Sequence, residues 1–422
     1  MKINLNNKQL DAVHSNEENV LIIAPAGSGK TSTLVAAIKR YKEKNPTKNV
    51  VAITFTRKAA EDLRSKLGGF LRVSASTIHS WAYAELENLS KLVYKENPNN
   101  AFKIKLLQED KIKEILQELL KKKKYLYINV GVLYSYVMGN YNMDISDKMK
   151  MMFQAVHNMY IKYKDTYGLY DFTDLPKYLL DKLNDYGKNI DGIDALFVDE
   201  FQDVDDVQLE TFDRVNAEKK FYIGDPAQSI YIFRGATADV IEKIEGFELH
   251  DLDINYRSNQ EIIDFATTFQ ERAKNESVMF SAQLESYRSK INCENGDGGR
   301  VHIINRAGVA YRVNEYIKES GIDLVEAMLN DNAMILCRKN KEVKEIKRIG
   351  YEKVQTVHQA KGLEYPKVIV TDFDMRGIED INIAYVAMTR AETDLVAANY
   401  DAFVLILEKL KKQNRLKTNI LF

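Results

Sequence analysis

Eight consecutive residues near the start of the chain carry its most specific chemistry: Ala24-Pro25-Ala26-Gly27-Ser28-Gly29-Lys30-Thr31. Glycines at 27 and 29 let backbone N–H groups turn inward around an anion. The Lys30 ammonium reaches the outer phosphate oxygens, and the Thr31 hydroxyl is an oxygen donor for Mg2+. Ala26, Gly27, Ser28, Gly29, Lys30, Thr31 and the following Ser32 are the candidate nucleotide-binding run. The one departure from the strict pattern is Ala24, where Gly is usual. Such a loop needs a carboxylate at the end of a neighbouring strand to hold the metal. The apolar run Ala195-Leu196-Phe197-Val198 ends in Asp199-Glu200 and supplies it. Asp199 is the candidate metal-positioning residue, and Glu200 the candidate base for an attacking water. Loop and carboxylates together specify a nucleoside triphosphatase using ATP-type phosphates and Mg2+.

A phosphate loop works only between a strand and the N-terminus of a helix. Residues 20–24 read as that strand, and Leu34, Val35, Ile38 and Tyr41 mark one face of that helix. Further continuous apolar runs at 50–54, 195–198 and 221–223 form one group. Runs at 301–304, 333–337, 368–371 and 395–398 form a second. Unbroken β-rich runs suit parallel sheets covered on both faces, and two groups predict two α/β lobes. From about residue 85 to 170 Lys, Glu, Leu and Tyr recur at helical spacing, which predicts a helical insertion in the first lobe. Lys121, Lys122, Lys123 and Lys124 read as a solvated helix end. The turn Gly296-Asp297-Gly298-Gly299 precedes the strand at Val301.

Length and composition fit this organisation. The chain has 422 residues, enough for two to three domains at about 150 residues each. Its 45% hydrophobic and 29% charged content is that of a globular protein. No apolar run reaches the roughly 18 residues of a membrane span. The N-terminal MKINLNNKQL has no apolar signal core, so a cytoplasmic protein with no membrane partner is expected. Cys293 and Cys337 are isolated and make neither a disulfide framework nor a four-ligand metal site. A net charge of −1 argues against a passive nucleic-acid binder with a basic surface. It leaves room for a motor whose positive charge is confined to one groove.

Two longer stretches, Val198-Asp199-Glu200-Phe201-Gln202-Asp203 and Gly224-Asp225-Pro226-Ala227-Gln228-Ser229-Ile230-Tyr231, resemble motifs of the UvrD/Rep-type superfamily 1 (SF1A) DNA helicases. The resemblance continues in order. Asn7-Lys8-Gln9 looks like the adenine-reading Q motif. Thr54-Phe55-Thr56-Arg57-Lys58-Ala59-Ala60 and Ser76-Thr77-Ile78-His79-Ser80 look like early DNA-contact motifs. Asn255-Tyr256-Arg257-Ser258, Thr356-Val357-His358-Gln359-Ala360-Lys361-Gly362-Leu363-Glu364 and Ala384-Tyr385-Val386-Ala387-Met388-Thr389-Arg390-Ala391 match motifs of the second lobe.

The resemblance implies two RecA-like parallel-sheet lobes of a P-loop NTPase. The first (1A) would span 1–84 and 171–247, the helical insertion (1B-like) 85–170, and the second (2A) 248–422. It implies that Gln9 reads the adenine edge, that Tyr256 stacks on the base, and that Gly362 and Glu364 lie at the nucleotide, with Glu364 on its sugar. Gln228 would sense the γ-phosphate, and Arg257 and Arg390 would reach it from the second lobe as arginine fingers in cis. Lys30, Asp199, Glu200, Gln228, Arg257 and Arg390 are thus the candidate catalytic set, with Thr31 and Asp199 on the metal. Phe55, Tyr231 and Phe233 would stack on bases, with Thr56, His79, Arg234 and His358 as backbone or coupling contacts. The implied activity is ATP-dependent translocation 3′-to-5′ on single-stranded DNA, with unwinding of tailed duplex. A monomer is expected, with a protein partner in a repair, replication or defence complex. The alternative is an ATP-gated, DNA-stimulated regulatory or recruitment subunit with little unwinding of its own.

This chain departs from the family pattern in four places. Ser32 and Arg57 stand where the family often has Arg and Asn. Glu379-Asp380-Ile381-Asn382 lacks the usual basic pair. The large helical subdomain 2B, inserted in relatives before the motif containing His358, is expected to be absent. Residues 333–338 are followed almost at once by Val354-Gln355-Thr356.

Overall fold

The structure is a computed structural model that describes residues 4–139, 145–231, 240–241, 243–275, 291–304, 309–312, 319–371 and 378–413. Six strands form the first sheet: β1 Asn19–Ile23, β2 Val50–Thr54, β3 Val73–Thr77, β4 Ala195–Val198, β5 Lys219–Gly224 and β6 Glu248–Asp251. They lie in the order β3-β2-β4-β5-β1-β6, all parallel. Two short strands, β7 Ile254–Asn255 and β8 Asn292–Cys293, pair with each other. The second sheet is built from β9 Arg300–Ile304, β10 Val309–Arg312, β11 Glu319–Ser320, β12 Met334–Cys337, β13 Val354–Thr356, β14 Tyr365–Thr371 and β15 Ala391–Ala398. Its order is β11-β10-β9-β15-β14-β12-β13. The parallel expectation holds from β9 to β13, whereas β10 runs antiparallel to β9 and to β11.

Side-chain alternation explains why the interior positions of the central strands are apolar. Leu21, Ile23, Val51, Ile53, Leu196 and Val198 pack on one face of the first sheet against helices Ile78–Glu96 and Leu175–Asp185. Val20, Ile22, Ala52, Phe197, Phe221 and Ile223 pack on the other against helix Lys30–Lys44. Strand side chains point to opposite faces in turn, so a strand with helices on both faces must be hydrophobic at every position. The second sheet repeats the scheme. Ile335, Cys337, Ile369 and Val396 face helices Gly321–Asn330, Asn340–Ile349 and Tyr400–Lys412. Leu336, Val368, Val370 and Leu395 belong to a cluster that also holds Ala26, Ala227, Ile230 and Tyr231 from the first sheet's loops. That shared cluster joins the two sheets and frames the site. Cys293 and Cys337 are both free thiols.

Helix Ile78–Glu96 runs unbroken across position 85 and buries Trp81, Leu86, Leu89 and Val93 in the first sheet's core. The helices that follow, Glu109–Lys122, Val130–Val137 and Asp147–Tyr167, share a separate core around Ile112, Leu116, Leu133, Phe153, Val156 and Tyr160. The chain leaves and re-enters through a short parallel bridge, with Leu107 N–H donating to Tyr170 O (2.7 Å) and Tyr170 N–H to Lys105 O (3.1 Å). Beneath it the buried Lys164 ammonium binds Asp171 (2.6 Å) and Asp174 (2.5 Å), and the Tyr160 hydroxyl donates to Asp171 (3.0 Å). Between β12 and β13 the chain forms the single helix Asn340–Ile349.

Candidate active site

Only residues 24–29 separate β1 from helix Lys30–Lys44. Gly27 and Gly29 have φ of +73° and +79°, a left-handed backbone that side chains resist. Both are also tightly overlaid. A Cβ on Gly27 would lie 2.6 Å from Asn255 Nδ2, and one on Gly29 would lie 2.8 Å from Gln9 Nε2. Three successive loop carbonyls are held from outside. Asn255 Nδ2 donates to Ala26 O (2.6 Å), Tyr256 N–H to Gly27 O (2.8 Å) and Gln9 Nε2 to Ser28 O (3.0 Å). A trans peptide sends its C=O and the next N–H in opposite directions. Fixing these carbonyls outward therefore turns the N–H groups of Gly27 and Gly29 into the loop, while Ser28 N–H closes the turn on Pro25 O (3.2 Å). Lys30 Nζ donates to Ala24 O at 3.2 Å, across the loop mouth. Thr31 and Ser32 are half-buried in the first turn of the helix.

Because β1, β4 and β5 are parallel, their C-terminal ends deliver three loops to one edge of the sheet. The loop after β4 carries Asp199 and Glu200. Asp199 is buried and, among the described residues, has no basic group within salt-bridge distance; burial and the neighbouring Glu200 carboxylate push it up to about 7. Burial acts on Glu200 in the same direction, but Lys30, Lys361, the Gln202 amide and Arg390 outweigh it and hold the carboxyl at about 2. Glu200 has φ +53°, left-handed in a residue with a side chain, and its Oε2 accepts from Gln202 Nε2 at 2.6 Å. Gln202 is itself fixed, its Oε1 accepting from Asp225 N–H at 2.9 Å. The oxygen donors Asp199 and Thr31 are those a magnesium ion takes. A buried carboxylate with no cation in direct contact among the described residues is what such an ion would complete.

The second sheet contributes from strand starts rather than strand ends. Gly362 and Glu364 immediately precede β14, and Arg390 immediately precedes β15. Arg390 is 1% exposed, and among the described residues every acceptor of its guanidinium is neutral: Val386 O (3.0 Å), Leu363 O (3.2 Å), Gln228 Oε1 (3.1 Å) and Thr389 Oγ1 (3.4 Å). Burial, then the charge of Arg257, lowers its pKa to about 9, so it stays cationic at neutral pH. Gln228 is held in turn by Asp225, which accepts from its Nε2 at 2.7 Å. Arg257 donates to Thr389 O (3.2 Å) and pairs with Glu364 (2.9 Å), which is otherwise exposed. Gln9 has its Oε1 on Asn6 N–H (2.9 Å) as well as its Nε2 on the loop, and the Tyr256 hydroxyl accepts from Asn6 Nδ2 (2.7 Å). Gln9 and Tyr256, assigned from the sequence to the adenine, thus sit directly against residues 27–29.

The candidate DNA residues fall in two places. Phe55 and Tyr231 stack on each other, centroids 4.6 Å apart and planes 23° apart, and the His358 ring lies 5.9 Å from Tyr231. His79 stacks instead on Phe172, 5.4 Å away, near the end of the helical excursion. Thr56 caps helix Arg57–Lys66, its Oγ1 accepting from Ala59 N–H at 3.1 Å. Phe233 and Arg234 lie outside the described residues.

Several residues at this site carried no assignment from the sequence. Lys361 forms a buried ion pair with Asp203, donates to Gln228 O (3.0 Å) and lies 4.8 Å from the Tyr231 ring centroid. Burial lifts the Asp203 carboxyl to about 7 against the pull of Lys361. Asn382 bridges the sheets, its Nδ2 donating to Ser229 O (2.9 Å) and its Oδ1 accepting from Gln270 Nε2 (3.1 Å). Lys361 and Asp203 both stand inside motif-like stretches, and one opposite-charge pair between two such stretches was the available signal. Asn382 had none.

Residues 5–247 match the UvrD/REP helicase N-terminal domain, and residues 353–398 the UvrD-like helicase C-terminal domain. A probable DNA helicase II homolog of Mycoplasma capricolum is 30% identical over 63% of this chain, and DNA helicase II of Escherichia coli 27% over 62%. These alignments span 40% and 39% of the two relatives, so the chain covers about two fifths of their length. The Gabija protein GajB of Bacillus cereus is 23% identical over 95% of this chain and 98% of its own. With an N-terminal family domain that takes in more than half of its residues, the chain belongs to the UvrD/REP helicase family.

Proposed function

We propose that this chain is an ATP-dependent DNA translocase and helicase that hydrolyses ATP between two RecA-like lobes and moves 3′-to-5′ on single-stranded DNA. From the motifs the lobes are residues 1–84 with 171–247, and 248–422 without a 2B insertion, with residues 85–170 as the helical insertion; two of these bounds shift, because β6 Glu248–Asp251 pairs with β1 in the first sheet and Leu86, Leu89 and Val93 pack in the first sheet's core. The observation that carries this reading is Arg390, a buried guanidinium without a carboxylate partner among the described residues, fixed by Gln228 opposite Lys30 and Glu200. Burying a cation that no carboxylate contacts directly is unfavourable. A γ-phosphate is the anion that would reward it.

Residues 26–30 grip the phosphates through inward N–H groups and the Lys30 ammonium. Thr31 and Asp199 would hold Mg2+, which would supply positive charge to offset the charge developing on the phosphates. Glu200, held ionised and aimed by Gln202, takes the proton of the attacking water. Arg257 and Arg390 stabilise the charge of the transferring group from the second lobe, so lobe closure and turnover are one event. Lys361 touches Asp203 and Gln228 on the nucleotide side and Tyr231 on the strand side, and so links the two. The direction of movement rests on the motif resemblance.

The test is ATPase with and without single-stranded DNA, then unwinding of 3′-tailed against 5′-tailed duplexes. DNA-stimulated hydrolysis with unwinding of 3′-tailed substrates is expected; hydrolysis indifferent to DNA would sink the reading. Tyr231→Ala should lower DNA-stimulated ATPase by roughly tenfold, as loss of a base-stacking ring does, and basal ATPase much less. Equal loss of both would mark the ring as structural. One observation favours a second reading. The match to Gabija protein GajB runs the length of both chains, unlike the matches to DNA helicase II. On that reading the chain is an ATP-gated, DNA-stimulated subunit acting with a protein partner, and neither tailed duplex is unwound by the chain alone.

A further inference from the structure

The turn Asn255-Tyr256-Arg257-Ser258 touches the nucleotide loop on one side and the arginine cluster on the other. Asn255 is 1% exposed, and its carboxamide is divided between the two. Nδ2 donates to Ala26 O (2.6 Å), while Oδ1 accepts from the N–H groups of Arg257 and Ser258 (both 2.8 Å). The turn then continues into the arginines. Ser258 Oγ donates to Ala391 O (2.6 Å), directly after Arg390, and Arg257 donates to Thr389 O, directly before it. An Asn in a turn ordinarily spends its side-chain oxygen on its own backbone in this way. Here the other half of the amide crosses to the facing sheet's loop. There is no slack in the contact, since a Cβ at Gly27 would come within 2.6 Å of the same nitrogen.

We infer that Asn255 is a positioning residue that registers Arg257, and through Ser258 the backbone at Arg390, against the carbonyls of the nucleotide loop. This rests on the reading of residues 24–31 as an ATP loop. The loop cannot shift on phosphate binding without carrying the turn, and the turn cannot move without displacing Arg257. Asn255 touches no reacting atom; it ties the position of the fixed side of the cleft to that of the moving side.

Asn255→Ser is the discriminating variant. A serine hydroxyl can still accept the N–H groups two and three residues on, but it is too short to reach Ala26 O and brings no charge. The expected result is a kcat for ATP hydrolysis lowered about tenfold, the scale of one buried hydrogen bond. KM for ATP and ADP affinity should stay within about threefold, while the affinity for ADP with aluminium fluoride, which mimics the transferring phosphoryl group, falls by about the same tenfold. In an Arg257→Ala background the same change should cost less than it does alone, because one of its two routes is already gone and only that through Ser258 remains. Wild-type kcat, equal weakening of ADP and ADP–aluminium fluoride, or losses that multiply in the double variant would each overturn the inference. Asn255→Ala gives up both halves of the amide and should lower the thermal midpoint further than Asn255→Ser, which leaves only Ala26 O without its donor. A wild-type chain without ATPase would instead overturn the parent reading, and this inference with it.

Discussion

Glu200→Gln is expected to bind ATP with near wild-type affinity and to hydrolyse it about a thousandfold more slowly. The substitution is close to isosteric and preserves the surroundings: a Gln oxygen can accept from Gln202 Nε2 as the carboxylate does. What it removes is the capacity to take a proton, and a positioned general base contributes typically ~10^2 to 10^4 in rate. It also removes a negative charge facing Lys30 and Arg390, so nucleotide binding should hold or tighten. Fluorescent-nucleotide titration alongside steady-state ATPase checks both halves. Turnover within a few-fold of wild type would assign the proton to another group, and loss of binding would make Glu200 a scaffold for the loop.

Arg390→Ala is the second large effect, expected to reduce DNA-stimulated ATPase by roughly 10^3 to 10^5, the range for losing an arginine that stabilises phosphoryl transfer. Its cost is not only catalytic. The side chain is buried and supplies donors to Val386 O, Leu363 O and Gln228 Oε1, and each acceptor left unpaired in the interior costs about 1–3 kcal/mol. The thermal midpoint should therefore fall as well. Arg390→Lys separates the contributions, because it keeps the charge while losing the planar fork that reaches three oxygens at once. A lysine variant with full activity would show that charge alone suffices. An alanine variant that keeps its ATPase would reduce Arg390 to a structural bolt.

The central strands were legible because their composition follows from where they lie. β1, β2 and β4 are covered on both faces, so every position but the strand ends Asn19 and Thr54 is apolar. β3 and β6, VSAST and ELHD, are the two edges of the same sheet, with a pairing partner on one side only. Edges tolerate and often require polar residues, and neither run stands out from a loop. The same holds for β11 and β13 at the edges of the second sheet. At the site, residues whose type implies a task were readable: Lys30 after glycines, Asp199 and Glu200 after a strand. Gln228, Arg257 and Arg390 came from the motif resemblance, and the structure brings Gln228 and Arg390 into direct contact. Asn255, Lys361 and Asn382 were missed because amides and lysines are common, and what distinguishes these is a partner more than a hundred positions away. The helical excursion was visible by its periodicity. Its limits were blurred because helix Ile78–Glu96 begins in one core and leads towards the next without a break.

The left-handed backbone at Glu200 sets local strain against the contacts of its side chain. A residue with a Cβ held at φ +53° costs on the order of 1 kcal/mol. The ionised carboxylate offsets that strain through Lys30, Lys361, the Gln202 amide and Arg390, contacts that glycine and alanine both lose. Glycine relieves the backbone and alanine does not, so Glu200→Gly should melt higher than Glu200→Ala, while neither hydrolyses more than a trace of ATP. Equal melting of the two would show that the backbone there is unstrained.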